Sequence, residues 1–340
     1  MSTYQNRSIV LSKRPEGEIR DGDLSLETAP MRDLAAGEIL IKTLWLSLDP
    51  YMRPRMNDMK GYMDPVAIGG VMTGESVGRV VESQSDQYAV GDIVTSYSGW
   101  QEYYIAADGQ ERMYKVNADG VPLQAFLGVA GMPGRTGYCG LNYVGKPKAG
   151  ETVVVAAASG PVGTVVGQTA KQLGCRMVGI AGGAKKCAYV VDVLGFDACI
   201  DYKSGDLKQK LSDACPDGID VYFENVGGDV TKAVAPLLNE GSRAPICGYV
   251  SAYNATDMAA VETPFHILGA LPKPPEHRFF LVTEWEDQHA EITQLLADRV
   301  KSGELKYEET VAEGLENAVE AFKGMLKGEN FGKQLVHIAD

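Results

Sequence analysis

Val153–Gly163 reads VVVAAASGPVG and opens onto TVVGQTAKQLG at Thr164–Gly174. The apolar run is a buried strand, and it breaks into a turn at Ala157–Gly163. There Gly160 and Gly163 lack the Cβ atoms that would hold a ligand off the backbone. Pro161 suits the first helical position, because its missing N–H costs nothing there. The spacing then predicts a helix running to Gly174, a C-terminal stop. Free N–H groups and the helix dipole make that N-terminus a site for a pyrophosphate, and strand, glycine turn and helix in this order are the setting such a site needs. The spacing is A-x-x-G-x-x-G, with Ala157 where the common fingerprint has its first glycine. A purely structural tight turn is the alternative reading.

The following strand bears on which dinucleotide is held. A cofactor without a 2′-phosphate meets an Asp or Glu about 20 residues after the glycines, placed on the ribose hydroxyls. Here that strand is RMVGIA at Arg176–Ala181, and it ends in Gly182-Gly183-Ala184-Lys185-Lys186 with no carboxylate at its tip. Two glycines leave room for a phosphate and two lysines neutralise it, so the stretch reads as a site for NADPH. The alternative is that the lysines open the next helix on a solvated face.

A chain of 340 residues suggests two domains. Its formal net charge of −13 repels nucleic acid and acidic membrane surfaces, which excludes both as expected partners. An anionic cofactor then needs a local cluster of cations, as the lysines provide. The six cysteines (Cys139, Cys175, Cys187, Cys199, Cys215, Cys247) include no C-x-x-C pair and read as core or half-buried thiols. No basic, then apolar, then small-residue segment opens the sequence, and no uncharged apolar run approaches a membrane span. The expectation is a cytoplasmic protein.

Up to residue 127 the pattern is short and β-like, with runs at Glu38–Leu46, Gly74–Glu82 and Asp92–Tyr97 and a turn or short helix at Asp49–Arg53. This half reads as a barrel-like all-β unit. From residue 128 a helix at Gly131–Tyr143 leads into alternating strands and helices, with strands expected at 153–157, 176–181, 198–201, 220–224, 244–249 and 279–283. Such alternation implies an α/β domain built on a doubly wound parallel sheet. A long helix is expected at 287–302. The four-proline segment Pro264–His277 reads as a loop or broken helix. From Lys306 the tail ends in a β-like run with no partner of its own, and the simplest arrangement returns it to the first domain. The domains are therefore expected at 1–127 plus 306–340 and at 128–305. The apolar run Phe279–Val282 is a candidate edge strand for a homodimer.

Several ordered marks resemble the zinc-independent branch of the medium-chain dehydrogenase/reductase family, the double-bond reductases. They are SLDPYMRPRM at Ser47–Met56, SYSGWQEY at Ser96–Tyr103, GMPGRTGYCGL at Gly131–Leu141, VVVAAASGPVG, AGGAKKC at Ala181–Cys187, YFENVGG at Tyr222–Gly228, CGYVSAYN at Cys247–Asn254 and GENFGK at Gly328–Lys333. The resemblance covers nearly the whole chain and implies a GroES-like β-barrel catalytic domain beside a Rossmann NADPH-binding domain. It also implies that Gly160, Pro161, Val162 and Gly163 bind the pyrophosphate, and that Lys186 and Tyr202 hold the 2′-phosphate with Gly183 close by. Asn225 would meet the ribose or adenine side. Cys247, Gly248, Tyr249, Val250, Ser251 and Tyr253 would line the nicotinamide with Phe280, Leu281 and Val282, and Asn330 would approach from the tail. Where zinc relatives carry Gly-His-Glu this chain has Thr73-Gly74-Glu75, and its four histidines form no cluster in sequence, so no metal is expected.

Reduction of a conjugated double bond without metal needs a hydride donor, a hydrogen bond to the enone oxygen and a proton for the α-carbon. A neutral phenol suits the last two tasks. Tyr253, beyond the expected 244–249 strand, is the leading candidate; Tyr51 in the DPYM turn and Tyr62 in GYMDP are the others. The expected activity is NADPH-dependent reduction of the C=C bond of a small enone or enal. An NADPH-dependent quinone reductase, or a cofactor-binding protein with a vestigial site, are the alternatives.

Overall fold

The computed structural model describes residues 4–59, 61 and 63–340. The chain divides into two units. One comprises Met1–Leu127, Glu309–Asn330 and Gln334–Asp340; the other comprises Gly128–Glu308 and Phe331–Lys333.

In the first unit, β1 (Gln5–Leu11) and β2 (Leu24–Pro30) form an antiparallel ribbon. A second sheet is organised on β3 (Glu38–Ser47), whose run of apolar and β-branched residues is almost entirely buried. It pairs antiparallel with β4 (Ser76–Ser83), β6 (Tyr103–Ala107) and β15 (Lys333–His337). Beyond these lie β5 (Ile93–Ser96) and β7 (Tyr114–Lys115) on one side and β14 (Glu309–Glu313) on the other. The tail run thus finds its partners in β3 and β14, with Leu335 opposite Ser47. The helix α8 (Ala318–Leu326) places Phe322 edge-on to the fully buried Trp100, their ring centroids 5.3 Å apart.

The second unit is a six-stranded sheet in the order β10 (Ala198–Asp201), β9 (Arg176–Ala181), β8 (Thr152–Ala156), β11 (Ile219–Phe223), β12 (Leu238–Ile246), β13 (Glu276–Phe279). Every pairing is parallel. Strand β8 shows why. All five of its residues are buried, as a parallel strand covered on both faces requires. Val154 and Ala156 enter the core on one face, while Val153 and Val155 enter the core on the other. The helices are α1 (Met132–Cys139), α2 (Pro161–Gln172), α3 (Ala184–Asp192), α4 (Leu207–Ala214), α5 (Gly228–Val234), α6 (Pro264–Gly269) and α7 (His289–Lys301). The strand order reverses between β8 and β11, and in open α/β sheets ligands bind outside the carboxyl ends of the strands at such a switch point. Among the described residues no helix is long and apolar enough to cross a membrane.

Two local expectations shift. The strand expected at 279–283 lies earlier, at Glu276–Phe279. Its polar residues occupy an edge position, so the apolar pattern marks not the strand but Phe280 turning into the core; a 3₁₀ segment follows at Val282–Gln288. The strand expected at 244–249 starts at Leu238 and ends at Ile246, because its first half is polar and partly exposed. The proline-rich segment holds a short broken helix, α6, which runs from Pro264 to Gly269 behind Thr263 and gives way to a loop.

Candidate functional site

The turn between β8 and α2 brings the backbone to the sheet's carboxyl edge. Gly160 is the N-cap of α2 and supplies no side-chain cap, so the first-turn N–H groups face outward for a ligand. Pro161 takes the first helical position. A Cβ at Gly163 would stand 2.6 Å from the Ala157 carbonyl oxygen and 2.7 Å from Ala158 Cα, so only glycine lets α2 sit this close to the turn. Ala157 itself is exposed with φ +55°, a left-handed conformation that glycine adopts at lower steric cost.

At the tip of β9, Gly183 has φ +100° and open space around it. A Cβ at Gly182 would stand 2.9 Å from the Tyr202 ring and 3.0 Å from Lys203 Cε. Tyr202 and Lys203 therefore close over this tip, with the Lys203 ammonium 5.9 Å from the Tyr202 ring centroid. Lys186 is half-buried beside them; burial, and then the charge of Lys203, hold its ammonium below the usual lysine value. Lys185 points elsewhere, its ammonium 5.1 Å over the Phe331 ring. Asp201 also reaches the tip, accepting the Gly183 N–H at 2.7 Å and the Lys203 N–H at 2.9 Å. Two cations converging on an open glycine tip, with the adjacent carboxylate engaged by backbone N–H groups, fit a dinucleotide carrying a 2′-phosphate.

Beyond β11 the chain is organised by Glu224, a fully buried carboxylate. It accepts the Val226 N–H at 2.7 Å, the Gly227 N–H at 2.9 Å, the Tyr222 hydroxyl at 2.8 Å and the Thr231 hydroxyl. Burial raises its pKa above the ordinary carboxylate value while these donors pull it down. Asn225 turns back and donates to the Ala156 carbonyl at 2.8 Å, joining the ends of β11 and β8. The Glu224 carbonyl accepts from Cys247 N–H, the Asn225 carbonyl from Val250 N–H and the Val226 carbonyl from Ser251 N–H. These bonds fasten Cys247–Ser251 beside β11. Tyr253 follows, half-buried, its ring edge-on to Tyr249 at 6.2 Å, and its hydroxyl lies over Gly248.

Phe280 is buried between Gly140 and Phe223, so its ring packs the core and only its backbone is suited to a ligand. The Leu281 N–H donates to Glu284 at 2.8 Å, and Val282 opens the 3₁₀ segment. In the first unit, Tyr51 lies in the 3₁₀ turn Pro50–Met52 and packs against the core around Met52 and Trp100. Asn330 ends the Glu309–Asn330 segment of that unit. Tyr62 lies outside the described residues. Among the described residues no group of three or more His, Cys, Asp or Glu is placed to hold a metal ion.

The sequence reading missed Asp201, Lys203 and Glu224. Asp201 and Lys203 belong to the site because β10 pairs beside β9, a tertiary relation. Glu224 carried a local signal, since a carboxylate directly after the buried run Val221–Phe223 requires buried donors.

Comparison with known proteins identifies the family. Residues 7–115 match a domain family described as N-terminal domain of oxidoreductase, and residues 161–269 match one described as zinc-binding dehydrogenase. The NADPH-dependent curcumin reductase of Escherichia coli (strain K12) is 45% identical over 98% of this chain and 97% of its own length. The 2-alkenal reductase (NADP(+)-dependent) of Nicotiana tabacum is 37% identical over 98% of both chains. The crystal structure of CurA in complex with NADPH from Vibrio vulnificus superposes with a TM-score of 0.92 at 43% identity, covering 98% of this chain and 99% of that one. The chain belongs to the medium-chain dehydrogenase/reductase family, in the branch that contains these reductases.

Proposed function

We propose that this protein is an NADPH-dependent ene reductase that saturates the conjugated C=C bond of small enones and enals. The observation that carries the reading is the position of the Tyr253 hydroxyl over Gly248 at the carboxyl edge of the sheet that also bears the β8–α2 glycine turn and the lysine-flanked β9 tip. When bound, NADPH supplies the hydride. Gly160–Gly163 hold the pyrophosphate on the α2 N-terminus, and Gly183, Lys186 and Tyr202 hold the 2′-phosphate, with Lys203 adding a second cation. Cys247–Ser251 orient the nicotinamide with the Phe280–Val282 backbone, and Asn225 keeps the ends of β8 and β11 together. The Tyr253 phenol donates to the substrate oxygen as negative charge develops there, and is the proton source for the α-carbon. Tyr51, then Tyr62, are the next donors to test.

The reading includes a cytoplasmic homodimer joined along the β13 edge, which sedimentation checks directly. The activity is tested by loss of NADPH absorbance with a panel of enones, enals and quinones, with each product identified. Saturated ketones and aldehydes are expected; turnover of quinones alone would replace the reading.

A further inference from the structure

Cys187 and Cys199 meet where α3 starts beside β10. The Cys199 thiol donates to Cys187 Sγ at 2.9 Å, and both residues are half-buried rather than sealed in the core. The other four thiols have no comparable setting. Burial pushes Cys139 and Cys247 up to about 12 and Cys215 up to about 11, and it raises Cys175 as well. Cys187 is shifted the opposite way, because the Cys199 hydrogen bond stabilises its thiolate while burial and Asp201 oppose this. The shape is that of a nucleophilic sulfur with a resolving partner already in contact.

We propose that Cys187 and Cys199 are a redox-active pair that closes to a disulfide on exposure to a hydroperoxide, and that closure weakens binding at the adjacent phosphate tip. In the first step the Cys187 thiolate attacks the terminal peroxide oxygen. The O–O bond breaks, the alkoxide takes a proton and leaves as alcohol, and Cys187 becomes a sulfenic acid. In the second step Cys199 attacks that sulfur and expels water as the S–S bond forms. The two thiols together lose two protons and two electrons, and the hydroperoxide is reduced to alcohol and water. Closing from the present contact to bond length requires a shift of about 1 Å. That shift falls on the first turn of α3, where Lys186 immediately precedes Cys187, and on β10, which delivers Asp201, Tyr202 and Lys203. The coupling rests on the NADPH reading above, whereas the thiol chemistry does not.

Trypsin separates the two claims. Cleavage after Lys186 and Lys203 releases residues 187–203 as one peptide holding both sulfurs and none of the other four cysteines. The full chain is treated with hydrogen peroxide, denatured, alkylated and digested. The expected peptide is lighter than its reduced form by two hydrogens, takes no alkyl group and reverts with dithiothreitol, while Cys187→Ser and Cys199→Ser each abolish the bond. A doubly alkylated peptide, sulfinic acid at Cys187, or a bond to another cysteine would overturn the pair. On the oxidised chain the Kd for NADPH, read by fluorescence, is expected to rise about tenfold, the loss of one weakened charge-assisted contact. An unchanged Kd with the bond formed would remove the coupling and keep the redox pair.

Discussion

The phenolic oxygen of Tyr253 lies so close over Gly248 that a Cβ added there would stand 2.8 Å from it. The glycine therefore sets where the hydroxyl can sit. Gly248→Ala is expected to displace the phenol and lower kcat by roughly 10- to 100-fold, part of the full loss expected for a misplaced general acid. Tyr253→Phe removes the hydroxyl alone and should lower kcat by about 10²–10⁴ with little change in NADPH affinity. Because both changes act on one group, the double variant should be no slower than Tyr253→Phe. Additive losses in steady-state kinetics would place the effect of Gly248 elsewhere.

Lys186 is expected to discriminate the 2′-phosphate. Lys186→Ala should raise the KM for NADPH roughly 10- to 100-fold, corresponding to about 1.5–3 kcal/mol for a charge-assisted contact, and leave the KM for NADH nearly unchanged. Equal losses with the two cofactors would make the lysine structural.

Gly163 and Ala157 test the turn from opposite directions. Gly163→Ala forces a methyl against the Ala157 carbonyl and Ala158 Cα, and overpacking against backbone costs about 1–3 kcal/mol. A lower Tm together with weakened NADPH binding is expected. Ala157→Gly relieves a left-handed alanine by about 1–2 kcal/mol, offset by about 0.5–1 kcal/mol of added chain entropy, so its Tm should be equal or higher. Scanning calorimetry of the two variants reads both signs.

His289 links stability to pH. Burial first, then the charge of Arg135, holds its imidazole down at about 4, against the usual 6.5. The unfolded chain therefore binds the proton more readily than the folded one between these values. Stability should be fully present above about pH 6.5 and fall as pH drops toward about 4. His289→Gln should flatten that part of the curve, measured as urea midpoints across the range; an unchanged slope would assign the acid loss to other groups.

Legibility in the sequence followed locality. Strand β8, the glycine turn and α2 could be read because the apolar run, the glycines and Pro161 are contiguous and each has a local physical meaning. Strand β9 could be read for the same reason. The edge strand β13 could not, because Glu276, His277 and Arg278 give it no apolar pattern and its pairing with β12 is what makes it a strand. Asp201 and Lys203 were invisible in a scan outward from the glycines, since their approach to Gly183 depends on β10 lying beside β9. Glu224 was quoted within a motif, yet its four side-chain hydrogen bonds come from residues on the strand, the loop and α5 that only the folded chain assembles.

Hydride delivery to a carbon–carbon double bond is read from where the isotope ends up. The protein is incubated with an enone and NADPH carrying deuterium at the transferable nicotinamide position, and the product is examined by NMR. A saturated ketone is expected, with deuterium on the β-carbon and a solvent-exchangeable source for the hydrogen on the α-carbon. Deuterium on the carbinol carbon of an allylic alcohol would instead show that the enzyme reduces the carbonyl group.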